Sequence, residues 1–136
     1  MPVIEGTARL KSARGEYDFA VDGGAISTIT LRCDSNDSLG GAIPNGAVIE
    51  GGYIEVDTIL ASGGAATVAV QAEAAGDIQA AAAFNGAPWS TTGRKSVVPA
   101  FTGATTVKTT AARNIQIAIA GAALTGGKFR AVLFFR

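Results

Sequence analysis

The sequence predicts an all-β fold: a single-domain antiparallel β-sandwich or barrel, jelly-roll-like, with one short Ala-rich helical turn. Three observations predict it. Apolar residues recur at period two along most of the chain, the mark of half-buried strands. Clusters of Gly, Asn, Asp and Pro separate these runs at hairpin spacing. No helical stretch reaches the length of the crossovers that parallel strands need. With 136 residues, the chain fits one domain, 1–136, able to bury a core.

Tyr17, Phe19 and Val21 share one face of a first short strand, and Asp22-Gly23-Gly24 turns the chain. Ile29, Leu31 and Cys33 line the next run. DSNDSLGG, residues 34 to 41, is loop by every turn signal, and Pro44-Asn45-Gly46 is a second turn. From 52 to 60, Ile54, Val56, Thr58 and Leu60 point one way and Tyr53, Glu55, Asp57 and Ile59 the other. Ser62-Gly63-Gly64 then leads to Val68 and Val70, so 52–60 and 66–71 read as a hairpin.

AEAAGDIQAAAAF, from Ala72 to Phe84, is rich in helix formers, and Asp77 is placed to cap a short helix there. Such a run is marginal alone, so one or two turns lying on the sheet are expected. Residues 86 to 96 read as loop, and Pro99 breaks the run begun by Val97 and Val98. TTVKTT, 105–110, is a polar strand. NIQIAIAG sets Ile115, Ile117 and Ile119 on one face against Asn114 and Gln116 on the other. Leu124-Thr125-Gly126-Gly127 turns it into KFRAVLFFR, where Phe129, Ala131, Leu133 and Phe135 alternate with Lys128, Arg130, Val132 and Phe134. Apolar on both faces toward its end, this last strand belongs in the middle of a sheet or against another subunit.

Hydrophobic residues make up 48% of the chain, but many are Ala, and Gly numbers 18. The core is therefore built from thin side chains and a few large ones: Phe19, Tyr53, Phe84, Trp89, Phe101, Phe129, Phe134 and Phe135. Charged residues reach only 16%, below the usual quarter. Either copies of the chain cover part of the surface, or Ser and Thr supply its polarity. The net charge is zero, which argues against nucleic acid or an anionic membrane as partner. The distribution is lopsided. All 11 acids lie at or before Asp77, with only Arg9, Lys11, Arg14 and Arg32 among them. The parts before and after Asp77 thus carry −7 and +7, which strand pairing between them would cancel. No run approaches 18 consecutive apolar residues, so a soluble chain without a spanning helix is expected. The opening MPVIEGTARLK has no signal-peptide shape.

Chemistry is scarce. Histidine is absent, which removes Ser-His and Cys-His nucleophiles, most zinc sites and the commonest general base. Cys33, the one cysteine, reads as a buried structural thiol. Glu55 and Asp57 lie two apart on one strand face, roughly 7 Å between Cα atoms. That spacing suits a glycosidase pair and equally the wet side of any strand, which is the plainer reading. Asp34, Asn36 and Asp37 invite calcium, but the EF-hand template fails at Leu39 and Asn45, leaving a solvated turn. Gly93-Arg94-Lys95-Ser96 departs from a phosphate loop because Arg94 intervenes before the Lys. Arg94 and Lys95 near Trp89 are too few for a single-stranded nucleic-acid groove. No cofactor, metal or small-molecule substrate is expected.

The order of IPNGAVI, a Gly-Gly turn before ATVAV, DIQAA, and ARNIQIAIAGAALTGGKF resembles short virion proteins of tailed bacteriophages, the head decoration (cement) or minor capsid proteins. The match covers residues 41 to 136. The resemblance implies a β module of the virion, on the capsid exterior, assembled in the host cytoplasm. Its partners would be the major capsid protein and itself, as a homotrimer, with no nucleic acid and no membrane. It would act mechanically, through contacts that exist only on the expanded shell. Residues 1–15 are then the candidate capsid-gripping arm, with Val3, Ile4 and Leu10 as contacts able to add to a capsid sheet. Phe134 and Phe135 are the candidate subunit contacts. The alternative is a receptor- or glycan-binding module of a head fibre or tail tip, for which Trp89 and Phe84 are the exposed-aromatic candidates.

Overall fold

The computed structural model describes residues 10–32 and 42–136. Cys33, the loop from 34 to 41 and residues 1–9 lie outside the described residues. The chain runs β1 (Lys11–Asp18), α1 (Phe19–Asp22), β2 (Thr28–Thr30), β3 (Ala42–Ile43), β4 (Val48–Ser62), β5 (Thr67–Gln71), β6 (Gln79–Ala83), β7 (Gly93–Ser96), a 3-10 turn (Gly103–Thr105), β8 (Val107–Lys108), β9 (Arg113–Asn114), β10 (Gln116–Ala120) and β11 (Leu124–Phe135). All pairings are antiparallel. A larger, 5-stranded sheet has the order β1-β11-β4-β7, with β8 also on β4; a 4-stranded sheet has the order β2-β10-β5-β6; β3 and β9 form a small ribbon. Neither sheet closes on itself, so the fold is a sandwich and not a barrel.

Period two decides what each strand buries. Ala13, Tyr17, Ile54, Val56, Phe129, Ala131, Leu133 and Phe135 point inward from the larger sheet. They meet Val68, Val70, Ile117 and Ile119 of the smaller one in a single cluster. Trp89, from the loop between β6 and β7, joins the layers. Its ring packs 4.9 Å from that of Phe129 in the larger sheet. Its indole N–H donates to the Val68 carbonyl of the smaller sheet at 3.1 Å, which satisfies the one donor the ring buries. Thr109, a fully enclosed hydroxyl, donates to the Pro44 carbonyl at 2.7 Å and accepts from the Ala47 N–H at 3.1 Å. It thereby locks the Pro44-Asn45-Gly46 turn.

Several local expectations change, among them the loop expected at 86 to 96, whose Gly93–Ser96 forms β7. The strand begun at Tyr17 ends at Asp18, whose carboxylate caps α1 by accepting from Ala20 N–H, while Asp22 accepts from the Asp18 N–H. Phe19 therefore packs at the rim and Val21 is exposed. The Ala-rich helical turn does not form. Asp77 accepts backward, from the N–H groups of Ala72, Glu73 and Ala74 at 2.9, 2.8 and 2.8 Å, and closes a loop instead of opening a helix. The alanines beyond it, too short a run to nucleate a helix, pair as β6 with β5. The run 52–60 and the run 66–71 are not a hairpin, because β4 belongs to the larger sheet and β5 to the smaller. Likewise β10 and β11 lie in different sheets, joined at Gly121, whose φ of 79° favours glycine. The turn read as a hairpin is thus a crossing between layers, as is the connection after β10, and the turn expected at 124–127 lies within β11. The last strand lies where expected, between β1 and β4.

The lopsided charge cancels internally. Among ion pairs within the described residues, Arg94–Glu55, Arg113–Glu73, Arg130–Asp57 and Arg136–Glu50 each join a late base to an early acid; only Arg32–Asp22 does not. The firmest is bidentate: Arg113 holds Glu73 at 2.8 and 3.1 Å, and Thr110 adds its N–H and hydroxyl at 3.0 and 2.7 Å.

Two pH dependences follow. The Arg113 hydrogen bonds, then those of Thr110, hold the Glu73 carboxyl at about 2 against an ordinary 4.5. As pH falls from 4.5 toward 2, the unfolded chain takes up a proton that the folded chain refuses, so stability drops in that window. Denaturant midpoints measured across it should fall, and the Glu73→Gln variant should show a shallower fall. Burial, then the charges of Asp22 and Asp18, push Tyr17 up to about 12 from 10.0. Its hydroxyl donates to the Gly23 carbonyl at 2.6 Å. Between those two pH values the unfolded chain has lost a proton that the folded chain keeps, so stability falls as pH rises. Tyr17→Phe, though weaker at neutral pH, should flatten that alkaline loss.

Candidate functional site

The acids that the sequence singles out, Glu55 and Asp57, stand on the outer face of the larger sheet. The pairing of β1, β11, β4 and β7 lays out this face in rows. Glu16, Arg130, Glu55 and Arg94 sit in direct register across the four strands. Their signs alternate, as favourable cross-strand pairs do. Beside this row Asp18 pairs with Lys128, and Asp57 approaches Arg130 at 3.9 Å. Glu55 accepts from Arg94 at 3.4 Å, and the Arg94 guanidinium lies 4.6 Å from the centre of the Tyr53 ring. Each acid thus faces an arginine. No nucleophile lies in the row.

Toward the other end the face turns apolar. Arg14, Val132, Tyr53 and Ser96 form the next row, and Ser12, Phe134 and Gly51 the one after. Gly51 has no side chain, and the Phe101 ring occupies that place; a methyl group there would collide with it. Phe101 reaches over from the loop before the 3-10 turn, anchored by its N–H donated to the Glu50 carbonyl at 2.6 Å. Its backbone φ is 61°, the left-handed region that a bulky residue rarely enters. The ring remains 60% exposed. It lies 6.2 Å from Phe134, which lies 6.4 Å from Tyr53, so three aromatics gather on the surface.

The sequence-derived contact candidates divide. Phe135 is wholly buried in the core, while Phe134 is half-buried on the outer face. Leu10 is 38% exposed just before β1. Val3 and Ile4 lie outside the described residues. Residues 11 to 15 of the N-terminal segment belong to β1. The calcium candidates Asp34, Asn36 and Asp37 also lie outside the described residues. Among the described residues no cluster of acids or cysteine suits a metal, and no helix is long and apolar enough to cross a membrane. Trp89 is buried away from Arg94 and Lys95. Phe101, counted from sequence as core, is the exposed aromatic that sequence reading missed. Its place in PAFTG, between Pro99 and Gly103, was the available signal, since such loops rarely bury their side chains.

The outer face of the smaller sheet differs sharply. Thr67, Ala69, Gln71, Ala80, Ala81, Ala118 and Ala120 line a shallow hollow of about 300 Å³ there without a single charge. A second hollow, of about 380 Å³ beside Phe84, is lined by Ala, Gly, Thr and Asn and holds no titratable group. Neither offers an acid, base or nucleophile stronger than a hydroxyl.

The chain is a two-layer antiparallel sandwich with one charged, aromatic-edged face and one uncharged face, and its fold is like that of chains in two phage capsid structures. The chain superposes on one from the acidic stable capsid structure of Helicobacter pylori bacteriophage KHP30 with a TM-score of 0.60, at 12% identity, over 94% of this chain and 87% of that one. It superposes on one from the capsid asymmetric unit of cyanophage Pam1 with a TM-score of 0.59, at 18% identity, over 99% and 98%. At these identities the likeness is one of fold. No protein-family model matches the sequence, and no curated protein matches it.

If the acid row is the wet side of a strand, its members contribute little individually. Glu55→Gln and Asp57→Asn should each change unfolding free energy by less than about 1 kcal/mol in urea titrations, the range of exposed ion pairs.

Proposed function

We propose that this chain is a structural protein of a phage virion that decorates the outer surface of the expanded capsid and stabilises it, and that it is not an enzyme. The observation that carries the reading is the fold shared nearly end to end with chains of two phage capsid structures. The sequence resemblance to decoration proteins, found independently, points the same way. The partner is the major capsid protein, and the copies gather as trimers at threefold-related positions. The N-terminal segment grips the shell through Val3, Ile4 and Leu10, of which Leu10 is the exposed residue leading into β1.

The mechanism is linkage. A protein that binds the expanded shell and not the compact one shifts the balance toward expansion by its differential affinity. A rigid sandwich suits this work, because little conformational entropy remains to be lost on docking. The receptor- or glycan-binding alternative has less to offer from its two sequence candidates: Trp89 is buried with its N–H on Val68, and Phe84 is partly buried against the core.

The test is to mix purified protein with expanded, undecorated capsids and with unexpanded procapsids. Saturable binding to expanded shells, at threefold-related positions by cryo-electron microscopy, is expected, with a rise in the temperature at which shells rupture. Equal binding to both shell forms would remove the mechanism, and no binding to either would remove the function.

A further inference from the structure

The outer face of the larger sheet is complementary to itself. We propose that it is an isologous contact, where a second copy of this chain docks face to face about a two-fold axis. The axis runs parallel to the strands, between β11 and β4. Rotation about it lays β11 of one copy over β4 of the other and keeps each row opposite the same row. Arg130 then meets the partner copy's Glu55, Glu16 meets its Arg94, and Lys128 meets its Thr58, next to Asp57. In the apolar rows Phe134 meets the partner copy's Phe101, seated on Gly51, and the partner copy's Tyr53 comes over Val132, itself only 4% exposed. Each charge of the Glu16, Arg130, Glu55 and Arg94 row faces its opposite, each ring faces an apolar group, and Arg14 faces Ser96. Aligned sheet packing, with strands crossing at about −30°, accommodates the arrangement.

Three features point to a partner rather than to water. First, the charges are under-committed within the chain. Arg130 reaches Asp57 only at 3.9 Å, beyond hydrogen-bond distance, and its Nε is buried without a partner. Neither the Glu16 carboxylate nor the Lys128 ammonium enters an ion pair among the described residues. Second, Phe101 is held exposed at a left-handed φ of 61°, a conformation that disfavours a bulky side chain. Third, aromatic and Arg side chains, both present on this face, are the groups that most often dominate association energies. The contact rests on the face alone and not on the capsid reading. It is two-fold, so it is additional to any threefold assembly on a shell and gives dimers in its absence.

The geometry permits a charge-swap test that intrachain pairing cannot imitate. Arg130→Glu alone sets Glu against Glu across the axis, twice; Glu55→Arg alone sets Arg against Arg, twice. Mixed, the two variants form a heterodimer in which both cross-axis pairs are of opposite sign. Sedimentation equilibrium and native mass spectrometry should show the wild-type chain dimerising at low salt, more weakly at high salt. Each variant, with an unchanged circular-dichroism spectrum, should dimerise at least about tenfold more weakly. The equimolar mixture should recover near wild-type affinity as a one-to-one heterodimer. Phe101→Ser, in an exposed loop, should weaken the dimer without altering the fold. A wild-type chain that stays monomeric at millimolar concentration, self-association untouched by Arg130→Glu, or a mixture no tighter than either variant alone overturns the contact.

Discussion

Strand β11 is paired on both sides along nearly its whole length, and that double pairing constrains everything else. Held between β1 and β4, it cannot slip by one residue without turning Lys128 and Arg130 into the core and Phe129 and Leu133 into water. Burying unpaired charges costs several kcal/mol each, so the register is effectively unique. One alternation thus writes two surfaces at once. The inner members build the core with Trp89 and Tyr17; the outer members supply Arg130, Val132 and Phe134 to the face whose complementarity suggests self-association.

A chain with so many alanines and glycines has little bulk to fill a sandwich. The layers are held by a few large groups placed where they serve both. Trp89 touches Phe129 on one side and hydrogen-bonds Val68 on the other. Around this centre, side chains tie the loops down: Thr109 locks one turn, Asp77 closes another, and Glu73 fastens the segment around Arg113. Each is a buried or bidentate hydrogen bond in place of packing that small side chains cannot provide. Several late bases pair with early acids across the molecule's own seams, which is how a neutral chain can be so unevenly charged along its length.

How much of this was legible follows the physics of range. Period two is a property of neighbouring residues, so Ile115, Ile117 and Ile119, and the alternation of β11, could be read directly. Sheet membership is not local. A Gly-Gly turn looks the same whether it folds a strand back onto its neighbour or carries the chain across to the other layer, and both short connections, after β4 and after β10, are crossings. The Ala-rich stretch misled for a related reason. Alanine's helix propensity is a weak preference that pairing with β5 overrides, and a carboxylate such as Asp77 can accept hydrogen bonds from residues before it as easily as after. Glu55 and Asp57 were legible as the wet side of a strand, but their partners were not, since Arg94 and Arg130 lie far along the chain. Phe101 escaped entirely: only the missing side chain of Gly51, in a distant strand, explains where its ring rests.

The order of strands also bears on how the molecule is made. The two strands that flank β11, β1 and β4, are synthesised early, and β11 is the last of the eleven. Until it leaves the ribosome, the larger sheet has no middle, and three of the seven bases that follow the acidic segment, Lys128, Arg130 and Arg136, are still missing. Such a nascent chain keeps a net negative charge until β11 arrives, which disfavours premature collapse. The fold therefore closes in one late step of long-range pairing, slow in the manner of high-contact-order sheets, and its strands become available for assembly only after synthesis has delivered the piece that completes them.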